Sequence, residues 1–314
     1  MLSLALLPAL LAVALLIGAF DGADGDQNDL TSDAEDTEDT PDDSQNPARD
    51  PLTALIANDD ATTITGTQGA DRIIGNDLGN DIRGGDGGDD IDGRAGDDTI
   101  AGDAGDDTLR AGDGDDEVSG GAGDDRVLLE AGDDAYLAES DLSEFAGNDT
   151  VRGGAGRDFI VDQQGANDLR GELGRDTLVA FDALSEVGRY DTPDEVGTTD
   201  TVSGGFGDDR LAGDAGDLLT GGAGSDVFFV TDTAQTDLAE VRITDFLPGE
   251  DALVIVQLDG DTDGAALTYD VVQGGVRVSF DGRAVAFLEG LDGDALPAIV
   301  TSLIELGALD SQLA

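Results

Sequence analysis

Between Gly84 and Leu137 the chain repeats one nine-residue pattern six times in unbroken register: GGDGGDDID, GRAGDDTIA, GDAGDDTLR, AGDGDDEVS, GGAGDDRVL and LEAGDDAYL. A fixed period constrains a fold more tightly than composition does, because every unit must occupy an equivalent place in a stack. The sixth place holds Asp89, Asp98, Asp107, Asp116, Asp125 and Asp134. The eighth holds Ile91, Ile100, Leu109, Val118, Val127 and Tyr136.

The first six places of a unit are rich in residues that tolerate positive φ, as a tight loop requires. The last three set one apolar side chain inward between two outward ones, the pattern of a very short strand. Such strands cannot pair stably alone and must stack on copies of themselves. Two units complete one turn of eighteen residues. The expected fold is all-β: a flattened parallel solenoid, or β-roll, with the eighth-place side chains between two sheets.

Stacking brings sixth-place Asp residues one turn apart to one edge, in the pairs Asp89–Asp107, Asp98–Asp116, Asp107–Asp125 and Asp116–Asp134. Parallel strands lie about 4.8 Å apart. At that distance, with an effective dielectric near 20, two bare carboxylates repel by about 3.5 kcal/mol. A ladder of them therefore calls for cations. Calcium fits the gap, since two Ca–O bonds of about 2.3–2.6 Å span it and loop carbonyls add further hard oxygens. Magnesium demands tighter octahedral geometry.

With these residues in hand, the chain resembles the RTX, or haemolysin-type, calcium-binding repeat family over residues 64–229. The resemblance implies a β-roll, several Ca²⁺ ions held between turns by the sixth-place Asp and loop carbonyls, and secretion from a Gram-negative bacterium.

The register reaches beyond the unbroken run. Upstream, Asp71 holds the sixth place; the next unit, GNDLGNDIR, has Asn80 there, which can ladder but lacks charge. Downstream, Asp149 follows Asp134 by nine residues plus a six-residue loop near 138–143. Asp158 and Asp176 keep register around Asn167, and a longer insertion lies near 180–199. Asp209, Asp217 (in a shortened unit) and Asp226 complete the candidate metal ligands; Asp200 lacks the flanking glycines and is left out.

The ends are different. Residues 1–20 carry no charged side chain and are long enough to span a bilayer. With no basic flank or A-x-A-like cleavage site, they read as a retained membrane anchor (residues 2–20), a cleaved signal or a peripheral segment. Residues 21–60 read as an acidic disordered linker, with ten Asp and two Glu against one Arg in 21–50. The array takes 61–229. Residues 230–314 read as a β-rich cap, with strands at 227–231, 240–244, 252–257, 267–272, 276–280 and 283–288, and turns at Gly274-Gly275 and Asp281-Gly282. The tail LPAIVTSLIELGAL reads as a short apolar helix, in a region that could carry a secretion signal.

Composition narrows the function. A formal charge of −56 argues against nucleic acid as a partner. The sequence has no histidine, cysteine or lysine, which removes His-based triads, thiol nucleophiles, Schiff-base chemistry and common zinc sites. The expectation is a non-catalytic calcium-binding protein, extracellular or on the bacterial surface, folded by calcium. A cell-surface or matrix partner would be read by the loops at 138–143 and 180–199. The alternative is a non-catalytic relative of an RTX enzyme or toxin, or a hydrolase with an unrecognised site.

Overall fold

A computed structural model describes residues 53–58, 62–138, 147–162, 165–180, 198–232, 239–257, 266–295 and 299–305. These form twenty-four strands and, among the described residues, no helix. Successive strands of the array alternate between two sheets. β3 (Asp71–Ile74), β5 (Asp90–Ala95) and β7 (Thr108–Asp113) stack in parallel in a thirteen-stranded sheet. β4 (Asp81–Asp86), β6 (Thr99–Ala104) and β8 (Glu117–Ala122) do so in an eleven-stranded one. The register is eighteen residues: Ile91 pairs with Leu109, and Ile100 with Val118. This is the parallel roll that the period predicts.

The eighth-place side chains form the core. Ile73, Ile91, Leu109, Val127, Val151 and Leu169 line one sheet, and Ile82, Ile100, Val118, Tyr136, Ile160 and Leu178 the other, all in one buried cluster. Each contributes about 1.5–3 kcal/mol by leaving water. A second, smaller cluster covers the outer face of the eleven-stranded sheet, where Val179, Ala212, Phe229, Val254 and Val256 are buried.

Most strands of the array are longer than three residues. In the regular units they run six, from the seventh place through the third place of the next unit. The backbone stays paired through the glycine-rich half while bending at positive φ in the second and fourth places, as at Gly112 (φ 129°) and Gly114 (φ 146°). The longer strand makes the first place inward-facing, with consequences for the carboxylates described below.

Three further differences lie at the ends. β1 (Thr53–Ile56) pairs with β3, so the roll starts inside the stretch read as linker. The expected tail helix is instead β24 (Val300–Glu305), parallel to β20 (Ala252–Gln257). A short apolar run suits either state, and the unpaired edge of β20 decides it by offering backbone partners. The six expected cap strands are all present, but they continue the roll: β20 extends the eleven-stranded sheet, while β21 (Leu267–Val272), β22 (Gly275–Phe280) and β23 (Arg283–Glu289) close the other as an antiparallel meander. The first hairpin turns at Gln273-Gly274, one residue earlier than expected, because Gly275 pairs with Val272. Asp281 (φ 48°) and Gly282 (φ 79°) make the second turn. The expected anchor at 2–20, and most of the expected linker, lie outside the described residues.

Candidate metal centre

The sixth-place Asp residues lie in two ladders, one at each turn edge, and the rung is an amide-to-carboxylate hydrogen bond. The Asp89 amide donates to Asp107 Oδ1 at 2.7 Å and the Asp107 amide to Asp125 Oδ1 at 2.8 Å. On the other edge Asp98 donates to Asp116 at 2.7 Å and Asp116 to Asp134 at 2.9 Å. All four expected pairs are brought together. The ladders continue across the insertions: Asp125 to Asp149, Asp134 to Asp158, Asp158 to Asp176, Asp176 to Asp209 and Asp209 to Asp226. Asn80 and Asn167 hold rungs as well: the Asn80 amide donates to Asp98 Oδ1 at 2.7 Å, and Asn167 Oδ1 accepts the Asp149 amide at 2.9 Å.

Each carboxylate has a second oxygen, and its fate varies. At Asp89, Asp98, Asp107, Asp116, Asp125, Asp134, Asp158, Asp176 and Asp209, Oδ2 is buried and accepts no hydrogen bond. It occupies the space left by the glycine at the inward-facing first place. A Cβ on Gly84 would lie 2.2 Å from Asp89 Oδ2, and one on Gly102 2.3 Å from Asp107 Oδ2. In two of these units a side chain stands there instead, buried: Ala111 before Asp116 and Leu129 before Asp134. The array termini differ. Asp71 Oδ2 accepts the Thr67 amide at 2.6 Å and its hydroxyl at 2.9 Å, and Asp217 Oδ2 accepts the Asp214 amide at 2.7 Å. Asp149 Oδ2 accepts the Tyr136 hydroxyl at 2.9 Å.

Buried carboxylates without full hydrogen bonding favour the neutral form. Burial, opposed by the amide rung, pushes Asp89, Asp107, Asp116, Asp176, Asp209 and Asp226 up to about 6. Asp98 and Asp134 rise to about 7, and Asp125 and Asp158 to about 8. Neighbouring ladder carboxylates add to the rise.

Main-chain carbonyls are the other hard oxygens at these turns. The second-place carbonyl of one turn faces the second-place Cα of the next, and the fourth place behaves likewise. A Cβ on Gly112 would lie 1.9 Å from Arg94 O, and one on Gly114 2.2 Å from Gly96 O. Among the described residues no three acidic side chains converge on one point. The donor set is therefore one buried carboxylate per loop with carbonyls around it. Hard oxygens of this kind suit calcium, and the unsatisfied Oδ2 atoms fit a cation in place of a hydrogen-bond donor.

Some members of the ladders lie outside the glycine-loop pattern. Asp200 belongs to the ladder, accepting the Asn167 amide at 2.6 Å, although no glycine loop precedes it. Asp251 ends the other ladder, accepting the Asp226 amide at 3.0 Å and, on Oδ2, the Leu247 amide at 2.7 Å. Exposed ladders also run through the fifth places of both edges, the Asp115 amide donating to Asp97 and the Asp133 amide to Asp115 on one, and the Asp124 amide to Asp106 on the other; the recurrent Asp-Asp dipeptide is their signal. The loop residues 139–146 and 181–197 lie outside the described residues.

The family model described as RTX calcium-binding nonapeptide repeat (4 copies) matches residues 56–82, 75–109, 102–136, 145–178 and 197–228. No curated protein matches the chain.

Proposed function

Because the chain belongs to the RTX calcium-binding nonapeptide repeat family over residues 56–228, we propose that it is an extracellular or surface-anchored bacterial protein, non-catalytic, whose roll is folded by calcium. The observation that carries this reading is the row of buried Oδ2 atoms with no hydrogen-bond donor. The ladder Asp residues whose Oδ2 accepts no hydrogen bond would hold the ions, with the second- and fourth-place carbonyls. Calcium, when bound, supplies positive charge between neighbouring carboxylates and accepts six to eight hard oxygens.

The chain's own residues make folding depend on that charge. With neutral donors absent at Oδ2, closing the roll buries carboxylates that prefer water. The sequence has no cysteine to staple the fold otherwise. Mass action stabilises the folded state where calcium is abundant and leaves the chain loose where it is scarce. A chain exported from a low-calcium cytosol would fold on arrival outside. A surface or matrix partner would be read by the inserted loops at 138–143 and 180–199, since the regular turns all present the same face.

Equilibrium dialysis of the full chain against calcium tests the binding. Saturable uptake of several ions, half-complete at about 10⁻⁴–10⁻³ M, is expected. No uptake at ten times that concentration would refute it. Deleting the two loops should abolish any surface attachment while leaving calcium uptake intact.

A further inference from the structure

One turn departs from the rest. Tyr136 is fully buried at the eighth place of the last unbroken unit, and its hydroxyl donates to Asp149 Oδ2 at 2.9 Å. Asp149 Oδ1 accepts the Asp125 amide at 2.9 Å. The buried Asp162 side chain lies beside Asp149, from the turn that follows. Asp162 stands at the first place, where Gly84, Gly93 and Gly102 stand in their units. Its own unit carries Asn167 at the sixth place. The rung that follows Asp149 is consequently uncharged, with the Asp149 amide donating to Asn167 Oδ1 at 2.9 Å.

The position of this cluster is telling. Asp125 and Asp149 are 24 residues apart, where regular neighbours are 18 apart. The stack absorbs its six extra residues at this turn, and the hydrogen bonds hold the register there. The opposite edge crosses the same insertion differently: Asp134 donates to Asp158, which donates to Asp176, and all three keep an Oδ2 with no donor.

We propose that Tyr136 and Asp149 form a hydrogen-bonded joint that takes no cation, so that one edge of the roll binds calcium in two separate blocks while the other binds it continuously. A cation at Asp149 would have to displace a buried phenol that donates to it. The joint thus fixes the register of the array independently of metal, at the turn where an insertion would otherwise let it slip. This rests on the calcium reading of the ladders.

Native mass spectrometry of the full chain at saturating calcium tests it. Asp107→Asn should lose at least one bound ion. Asp149→Asn should lose none; Asn167 shows that an amide is accommodated on this edge. Equal losses in the two variants would overturn the joint. No loss in Asp107→Asn would instead overturn the ladder reading beneath it. Should Asp149→Asn fail to fold, Tyr136→Phe serves: its ion count should not fall below that of the unaltered chain, and a fall would overturn the proposal.

Discussion

The amide of Asp89 donates to Oδ1 of Asp107, eighteen residues on, at 2.7 Å, while Oδ2 of the same Asp107 side chain is buried with no hydrogen-bond donor. One carboxylate thus both ties two turns together and leaves an unsatisfied negative oxygen between them. Stability and calcium dependence are two consequences of that one placement.

Asp107 and Asp71 should therefore respond differently to removal. Asp107→Ala takes away a ladder rung and an unsatisfied oxygen together. Asp71 stands near the start of its ladder with Oδ2 bonded to Thr67. The calcium midpoint for folding should rise on the order of tenfold in Asp107→Ala, about 1.4 kcal/mol, and clearly less in Asp71→Ala. Equal midpoints by circular dichroism would count against the ladder.

The metal-free roll should prefer acid. Burial raises the ladder carboxyls to between about 6 (Asp107) and about 8 (Asp125, Asp158), from 3.8. A group whose pKa is higher in the folded state contributes its full stability below its unfolded value, and that contribution is lost as pH rises through the folded one. Thermal melts in chelator should show a higher midpoint at pH 4 than at pH 8. With calcium the trend should reverse, because ligands bind deprotonated. A metal-free midpoint that rises with pH would contradict the burial of these groups.

Much of this was legible because the period fixes register, and register fixes which side chains meet. Asp89 and Asp107 meet because nothing but whole turns separates them. Asp200 and Asp251 were not legible, since their rungs depend on strands that follow them rather than on a glycine loop before them. Thr201 pairs with Asp168, and Ala252 with Val227; those pairings set both carboxylates at the edge. The tail at 300–305 reads as a helix in sequence alone because its partner, the free edge of β20, exists only in the folded roll. Tyr136 looked like an ordinary core residue, as its eighth place dictates, and only the stacked turns show its hydroxyl reaching Asp149.

Two neighbouring positions should change stability in opposite directions. Asp103 is held at φ 72°, a left-handed conformation that costs a non-glycine residue about 1 kcal/mol. It also raises the pKa of Asp107 through its charge. Asp103→Gly should stabilise the calcium-loaded chain by about 1 kcal/mol. Gly105→Ala should destabilise it, because φ is 143° and the added Cβ would lie 1.9 Å from Gly87 O. Thermal denaturation at fixed calcium would check both signs.

In the core, Ile100→Ala should cost about 2–5 kcal/mol. Ile100 is 1% exposed between Ile82 and Val118 in register, and the rigid stack leaves little scope for collapse. Denaturant unfolding in saturating calcium would measure this, and a loss below about 1 kcal/mol would mean a looser core.

The most direct test of the central claim is circular dichroism of the full chain titrated with calcium, with magnesium as the control. The ladder of unsatisfied carboxylates predicts a cooperative gain of β signal at about 10⁻⁴–10⁻³ M calcium and none with magnesium over the same range. A full β signal already present in chelator at neutral pH, unchanged by calcium, would contradict it.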